Sequence, residues 1–316
     1  MDKKRRVLVE RWGALGDITV LATILPYYLD ENEDVQFVVV GPKLAPPLFE
    51  GMKGVEYVRK SKVKHFFQTQ IRQKPDVYVN LCGDIWQMCV MRILFRLHGV
   101  KVAKLVRSNG LSDMRPLWKS YELTLKKVGI TTSVDLDALS RQYWVPKHHD
   151  DACREIAFAP LSRMQSKEWP HEYSKALVEM LSQKKDWKIN LIGSRAEAPL
   201  LEEWAEPYDN VICQAGKMTF EEELKFIESQ DLMVSMDSAN MHFASMLGVP
   251  VVSVWGPTRP QYGYYGWRQN PDWAVYVDMD CAPCSTYGQK PCKYGHYDCM
   301  KLPANRVLEK IEQVLA

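Results

Sequence analysis

DLMVSMDSANMHFASMLGVPVVSVWGPTRP, Asp231 to Pro260, is the stretch whose reading decides the fold. DLMVS is short and apolar and reads as a buried strand feeding a turn. Asp237 and Ser238 are both N-cap types, and Met241, Ala244, Ser245 and Leu247 fall on one helical face. Gly248 closes that helix, Pro250 follows, and VVSVW is the next strand. Strand, loop, helix, strand in a parallel sheet aims the helix N-terminus at the strands' C-terminal edge, where α/β proteins bind ligands. The free N–H groups of the first turn and the helix dipole favour a phosphate there. An ordinary βαβ unit with a capped helix carries the same pattern, so this stretch alone leaves both readings open.

At 316 residues the chain is too long for one comfortable core, and two domains are expected. The apolar runs are of strand length, and MDKKRRVLVERWG has a basic start without the apolar core of a signal peptide. A cytoplasmic location with mostly reduced cysteines follows as the expectation. The net charge of +2 hides an asymmetry: residues 1–150 carry 24 Lys+Arg and 16 Asp+Glu, a net of +8, and residues 151–316 carry 17 and 23, a net of −6. An anionic partner meeting the first half fits that balance, and so do plain solvated faces.

RRVLVERWGALGDITVLATILP opens the first half as strand (Val7 to Glu10), loop and helix, the helix starting at Asp17 or Ile18. Gly13 and Gly16 allow tight backbone, but neither a dinucleotide fingerprint nor a P-loop is present. Asp17 has two readings: helix N-cap, or a carboxylate placed to accept a proton from a substrate hydroxyl. Further strands are expected at Val35 to Gly41, Val55 to Lys60 and Asp76 to Leu81. Lys60 to Lys74 reads as a basic amphipathic helix suited to a surface or to lipid headgroups. Arg92 to Ser108 mixes helix, strand and base, and Tyr143 to Asp151 suits an interdomain linker. His148, His149, Asp150 and Asp151 are adjacent rather than at metal-ligand spacing, and read as a solvated loop.

In the second half EIAFAP is a strand, and Lys167 lies just before a helix starting near His171, as a phosphate cation or one more surface lysine. Asn210 to Asp231 reads as strand, loop and a helix capped by Thr219, with Glu222 completing a capping box. The tail CAPCSTYGQKPCKYGHYDCM places Cys281, Cys284, Cys292 and Cys299 at spacings that suit zinc or reduced structural thiols. The chain ends in a helix, LPANRVLEKIEQVLA.

GALGDITVLATILP, SKEWP, GKMTFEE, DSANMHFASMLGVPVVSVWGPTRP and the C-x-P-C…C…CM tail stand in the order found in glycosyltransferase family 9, and the chain resembles that family, the lipopolysaccharide heptosyltransferases and their relatives, over nearly its whole length. The resemblance implies an α/β GT-B fold: two Rossmann-like domains facing a central cleft, the acceptor on residues 1–150 and the nucleotide sugar on 151–316, with the last helix packing back on the first domain. It implies inverting, metal-independent transfer with no cofactor, from a nucleotide-sugar donor to an anionic glycolipid or glycan. It also implies a cytoplasmic enzyme in peripheral contact with the inner membrane. Asp17 would be the base; Lys167 and the helix start at Ser238, Ala239, Asn240 and Met241 would stabilise the leaving diphosphate. Asp237 would hold sugar hydroxyls, and Lys217, Met218 and Glu221 would meet base and ribose. His242 would back the phosphate site or pack inside the helix.

Two departures stand out. Ala239 replaces the glycine of many members, and APLSRMQSKEWP lacks their glycine after its strand, which leaves the register of Arg163 and Ser166 open. The KMTFE stretch leans toward an ADP-linked heptose. The alternatives are a UDP- or GDP-linked donor, or a member that binds nucleotide or glycan without transfer. A metal-dependent transferase is disfavoured, because the D-x-D pairs Asp135/Asp137 and Asp278/Asp280 follow no convincing first-half strand. A nucleic-acid binder is disfavoured by the lack of a groove-reading or base-stacking motif.

Overall fold

The computed structural model describes residues 4–59, 71–83, 86–107, 114–147 and 153–316. The chain divides into two compact units, Met1–Leu136 and Asp137–Ala316. The first holds strands β1 (Arg5–Glu10), β2 (Val35–Gly41), β3 (Val55–Arg59), β4 (Val77–Asn80) and β5 (Lys101–Lys104) in one parallel sheet of order β3-β2-β1-β4-β5. Runs such as VQFVVVG are apolar but for Gln36 rather than alternating, as a sheet covered on both faces demands. Its main helices are α1 (Leu15–Ile24), α2 (Trp86–Leu97) and α3 (Leu117–Lys126). One core of this unit gathers Leu8, Val38 and Tyr78 from the sheet with Met88, Met91 and Phe95 from α2.

The second unit repeats the plan. Strands β6 (Arg154–Ala159), β7 (Trp187–Leu191), β8 (Val211–Cys213), β9 (Leu232–Met236), β10 (Val251–Trp255) and β11 (Ala274–Tyr276) form a parallel sheet of order β11-β10-β9-β6-β7-β8. Its main helices are α4 (His171–Ser182), α5 (Ala198–Ala205), α6 (Phe220–Glu228), α7 (Ala239–Met246) and α8 (Ala304–Leu315). In both sheets the strand order reverses beside the first strand, between β1 and β4 and between β6 and β9. That reversal opens a crevice at the strands' C-terminal ends, the usual ligand site of such sheets.

Several expectations change in detail. Helix α1 begins at Leu15 with Ala14 as its N-cap, so Asp17 is the third helical residue and not the cap. Residues 143–147, read as linker, are strapped to the second unit: Trp144 Nε1 donates to the Ser245 carbonyl (2.9 Å) and Lys147 Nζ to that of Glu228 (2.6 Å). The compact units divide at Leu136/Asp137. Helix α8 lays Val307 and Ile311 into the core of the second unit. The short strand β11 was not read from the sequence. The stretch Lys60 to Lys74 lies mostly, and His148 to Asp151 entirely, outside the described residues.

Candidate active site

The site of the second unit is built at the reversal between β6 and β9. After β6 the chain makes a short turn, Gln165–Lys167, before α4. Trp169 fixes that turn: it is fully buried, its Nε1 donates to the Leu302 carbonyl (3.0 Å), and truncating such a side chain costs about 3–5 kcal/mol. Ser166 is buried and donates to the Gly288 carbonyl. A Cβ on Gly288 would stand 2.7 Å from Lys167 Cε, so only glycine lets the 288 loop lie along the lysine stem. Arg163 is exposed, whereas Ser166 is buried and the Lys167 side chain is largely covered.

Lys167 Nζ reaches Asp237 Oδ2 at 2.6 Å, with the two side chains only 13% and 7% exposed. Asp237 follows β9, and its Oδ2 also accepts from Thr258 Oγ1 at 2.7 Å. Thr258 is carried by the loop after β10, which Arg259 fastens by donating to the carbonyls of Gly256, Thr258 (3.0 Å) and Val277 (2.7 Å). Three successive βα turns of the sheet thus converge on one carboxylate. Beside it α7 begins at Ala239 with Ser238 as N-cap, and Ser238 makes no side-chain cap bond. Its hydroxyl instead meets that of Ser235 at 3.0 Å. The first-turn N–H groups of Ala239, Asn240 and Met241 therefore keep their donor capacity for something else.

His242 lies one position further on, buried, and its Nδ1 has no hydrogen-bond partner among the described residues. Burial pushes its pKa down to about 4; the Lys167 charge adds to this and the Asp237 charge opposes it. The imidazole is neutral at physiological pH and sits within electrostatic reach of the Lys167–Asp237 pair.

A separate polar pocket of 160 Å³ opens where β7 and β8 end, lined by Gly193, Ser194, Arg195, Gln214, Met218 and Glu223 among others. Its walls touch because residue 216 is glycine: a Cβ there would stand 2.5 Å from Arg195 Cα. Glu197 turns back to accept from the Ser194 N–H at 2.6 Å. Burial, with the Glu197 charge behind it, raises the pKa of Glu223. Of the three residues expected to meet base and ribose, Met218 lines this pocket. Lys217 Nζ is tied to the Cys213 carbonyl (2.7 Å), and Glu221 pairs with Lys225 (2.6 Å) on the surface of α6.

In the first unit Asp17 sits in the opening turn of α1, at the C-terminal edge of β1. Arg11 forms an ion pair with its Oδ2. Tyr121 from α3 ties the arrangement together, accepting from Arg11 Nε at 2.8 Å and donating to the Asp17 carbonyl at 3.1 Å. A carboxylate held this way keeps one orientation.

All eight cysteines are free thiols. Among the described residues no group of three or more His, Cys, Asp or Glu is arranged to hold a metal ion. Thr258, Glu197, Glu223, Gly288 and Arg11 escaped the sequence reading. Thr258 and Arg11 had a usable signal, each standing in the loop after a strand, where ligand-facing side chains gather.

Two parallel sheets of this order are the GT-B architecture of solved sugar transferases. The structure of the glycosyl transferase family 9 protein from Veillonella parvula DSM 2008 superposes with a TM-score of 0.73 at 18% identity, covering 100% of this chain and 98% of that one. That of the E. coli heptosyltransferase WaaC with ADP superposes with a TM-score of 0.66 at 17% identity, covering 98% and 99%. The family model of glycosyltransferase family 9 (heptosyltransferase) matches residues 101–296, and the chain belongs to that family. In sequence it is similar to lipooligosaccharide heptosyltransferase 2 of Haemophilus influenzae, 31% identical over 115 residues, which are 35% of this chain and 32% of that protein. The matches to its curated relatives span 26% to 35% of their lengths.

Proposed function

We propose that the chain is an inverting, metal-independent glycosyltransferase that moves a sugar from a nucleotide diphosphate, ADP-heptose in the leading reading, to a lipopolysaccharide core or related glycan on the cytoplasmic side of the inner membrane. The observation that carries this is the buried Lys167–Asp237–Thr258 cluster beside the uncapped start of α7. A cation and a row of N–H donors at one sheet edge suit a leaving diphosphate, whose charge grows as the bond to the anomeric carbon breaks. Together they supply the stabilisation that a divalent metal supplies elsewhere. Asp237 holds Lys167 charged and aimed, and offers its carboxylate to sugar hydroxyls.

The pocket beside Met218 and Glu223 takes the nucleoside, its carboxylate accepting from ribose hydroxyls. Asp17 takes the proton of the acceptor hydroxyl while that oxygen bonds to the anomeric carbon and the nucleoside diphosphate departs with the electron pair. Arg11 occupies Oδ2, and no hydrogen bond to Oδ1 is made among the described residues, which leaves that oxygen for the proton. The donor leads with ADP because the family neighbour named above was solved with ADP.

The test is calorimetric titration of the chain with ADP, UDP, GDP, CDP and dTDP, with and without EDTA. Preferential ADP binding that EDTA does not change supports the reading. A preference for UDP or GDP moves the donor and keeps the reaction. Folded protein that binds none of them overturns it.

A further inference from the structure

One face of the second sheet is polar where the other is core. Ile189 and Leu191 of β7 enter the apolar core, so Lys188 and Asn190 point to the opposite face, with the small Ala157 of β6 in register beside Asn190. Asn190 and Gln230 are fully buried. They belong to a chain of amides that starts at Glu155 and ends at Gln214, on the wall of the 160 Å³ pocket.

The carboxylate end fixes the direction of that chain. Burial opposes the charge of Glu155, but Lys188 Nζ at 2.8 Å and the two amides outweigh it and hold its pKa below the ordinary value. An ionised carboxylate only accepts. Gln230 Nε2 therefore donates to Glu155 Oε2 at 3.3 Å, and Asn190 Nδ2 donates to that oxygen at 3.4 Å and to Gln230 Oε1 at 2.9 Å. With its nitrogen committed, Asn190 offers Oδ1 on its other side, and Gln214 Nε2 donates to it at 3.4 Å. Each amide is oriented by the one before it. The acceptor that Gln214 offers the pocket is its Oε1, to which no hydrogen bond is made among the described residues.

We propose that Gln214 reads an exocyclic amine on the nucleotide base, with Asn190 as the positioning residue that commits its amide to accept. This rests on the reading that the pocket takes the nucleoside, and adds the group that selects the base. Adenine gives a 6-amino N–H to such an oxygen. A 6-oxo purine sets a carbonyl oxygen against it, and both stay unpaired. A glutamine free to turn its amide over would satisfy either base, and the relay from Glu155 removes that freedom. Arg195 lines the same pocket as a donor to a carbonyl oxygen, but it is exposed and its charge is shared with water.

The test is calorimetric titration of the full chain with ADP and with inosine diphosphate, which carries a 6-oxo group in place of the amine. The wild type is expected to bind ADP about tenfold more tightly. Gln214→Leu should bring that ratio to about twofold or less. Asn190→Leu should bring it close to one, with inosine diphosphate gaining part of what ADP loses, a shift that a general loosening of the fold does not produce. Asn190→Asp keeps an acceptor for Gln214 Nε2 and should keep the ratio within about twofold of wild type, although its carboxylate beside Glu155 lowers the melting temperature. A wild type that binds the two nucleotides alike, or prefers inosine diphosphate, overturns the proposal and leaves the nucleoside reading standing. So does a wild-type ratio in Gln214→Leu or in Asn190→Leu. Folded wild type that binds neither nucleotide overturns both.

Discussion

Replacing Lys167 by methionine removes the cation and keeps most of its stem. Asp237, 7% exposed and 2.6 Å from the lost ammonium, is left as a buried carboxylate with the Thr258 hydroxyl as its remaining side-chain partner. Removing one member of a buried pair costs about 3–5 kcal/mol, and the surviving hydroxyl places this case near about 3. At about 2–4 °C per kcal/mol, the calorimetric transition of the second unit should fall by roughly 6–12 °C. The uncompensated charge is the cause, so neutralising it should help. Asp237→Asn added to Lys167→Met retains a partner for Thr258 and should recover roughly two-thirds of the loss, although ADP binding stays weak. Scanning calorimetry of the wild type, both single variants and the double variant closes the cycle. A double variant that loses the sum of the two single losses refutes the reasoning, because the two groups would then not act as one electrostatic unit.

His242 should give stability a pH slope. Unfolded, its imidazole binds a proton below its ordinary 6.5; folded, it stays neutral down to about 4. Between these values the unfolded state holds more protons, so stability present above pH 6.5 is lost as pH falls to about 4, by about 3 kcal/mol. Urea unfolding of wild type against His242→Asn should show the difference shrinking across that window. Thr219 accepts from the Glu222 N–H at 3.3 Å while Glu222 returns to the Thr219 N–H at 2.8 Å, and Thr219→Ala should cost about 1 kcal/mol in urea titrations without altering nucleotide affinity. Asp17→Asn should lower kcat by about 10²–10⁴ and leave nucleotide binding unchanged, as steady-state transfer assays and calorimetry would report.

What was legible in the sequence was local. The strands β2 and β10 stand where their apolar runs stood, and the Thr219–Glu222 box formed because both partners lie within one helical turn. The placement of Lys167 before α4 and of Asp237 after β9 was readable in the same way. Their ion pair was not, because it joins residues brought together only by the reversal of strand order between β6 and β9. The same holds for Arg11, Asp17 and Tyr121, where Tyr121 reaches the pair from a helix more than a hundred residues later. A cap reading of Asp17 used the nearest backbone N–H groups, but the helix starts at Leu15 and the carboxylate pairs with the Arg11 guanidinium six residues earlier.

Helix α2 shows a different limit. Residues 86, 90, 93 and 97 and residues 88, 91 and 95 are both apolar at helical spacing, so periodicity reads them as two faces of a buried helix. Which face meets the sheet depends on the one sheet it packs against, and Tyr78 selects the methionines and Phe95. The other stripe is then left outward, where each apolar side chain held in water forgoes roughly 1.5–3 kcal/mol of burial.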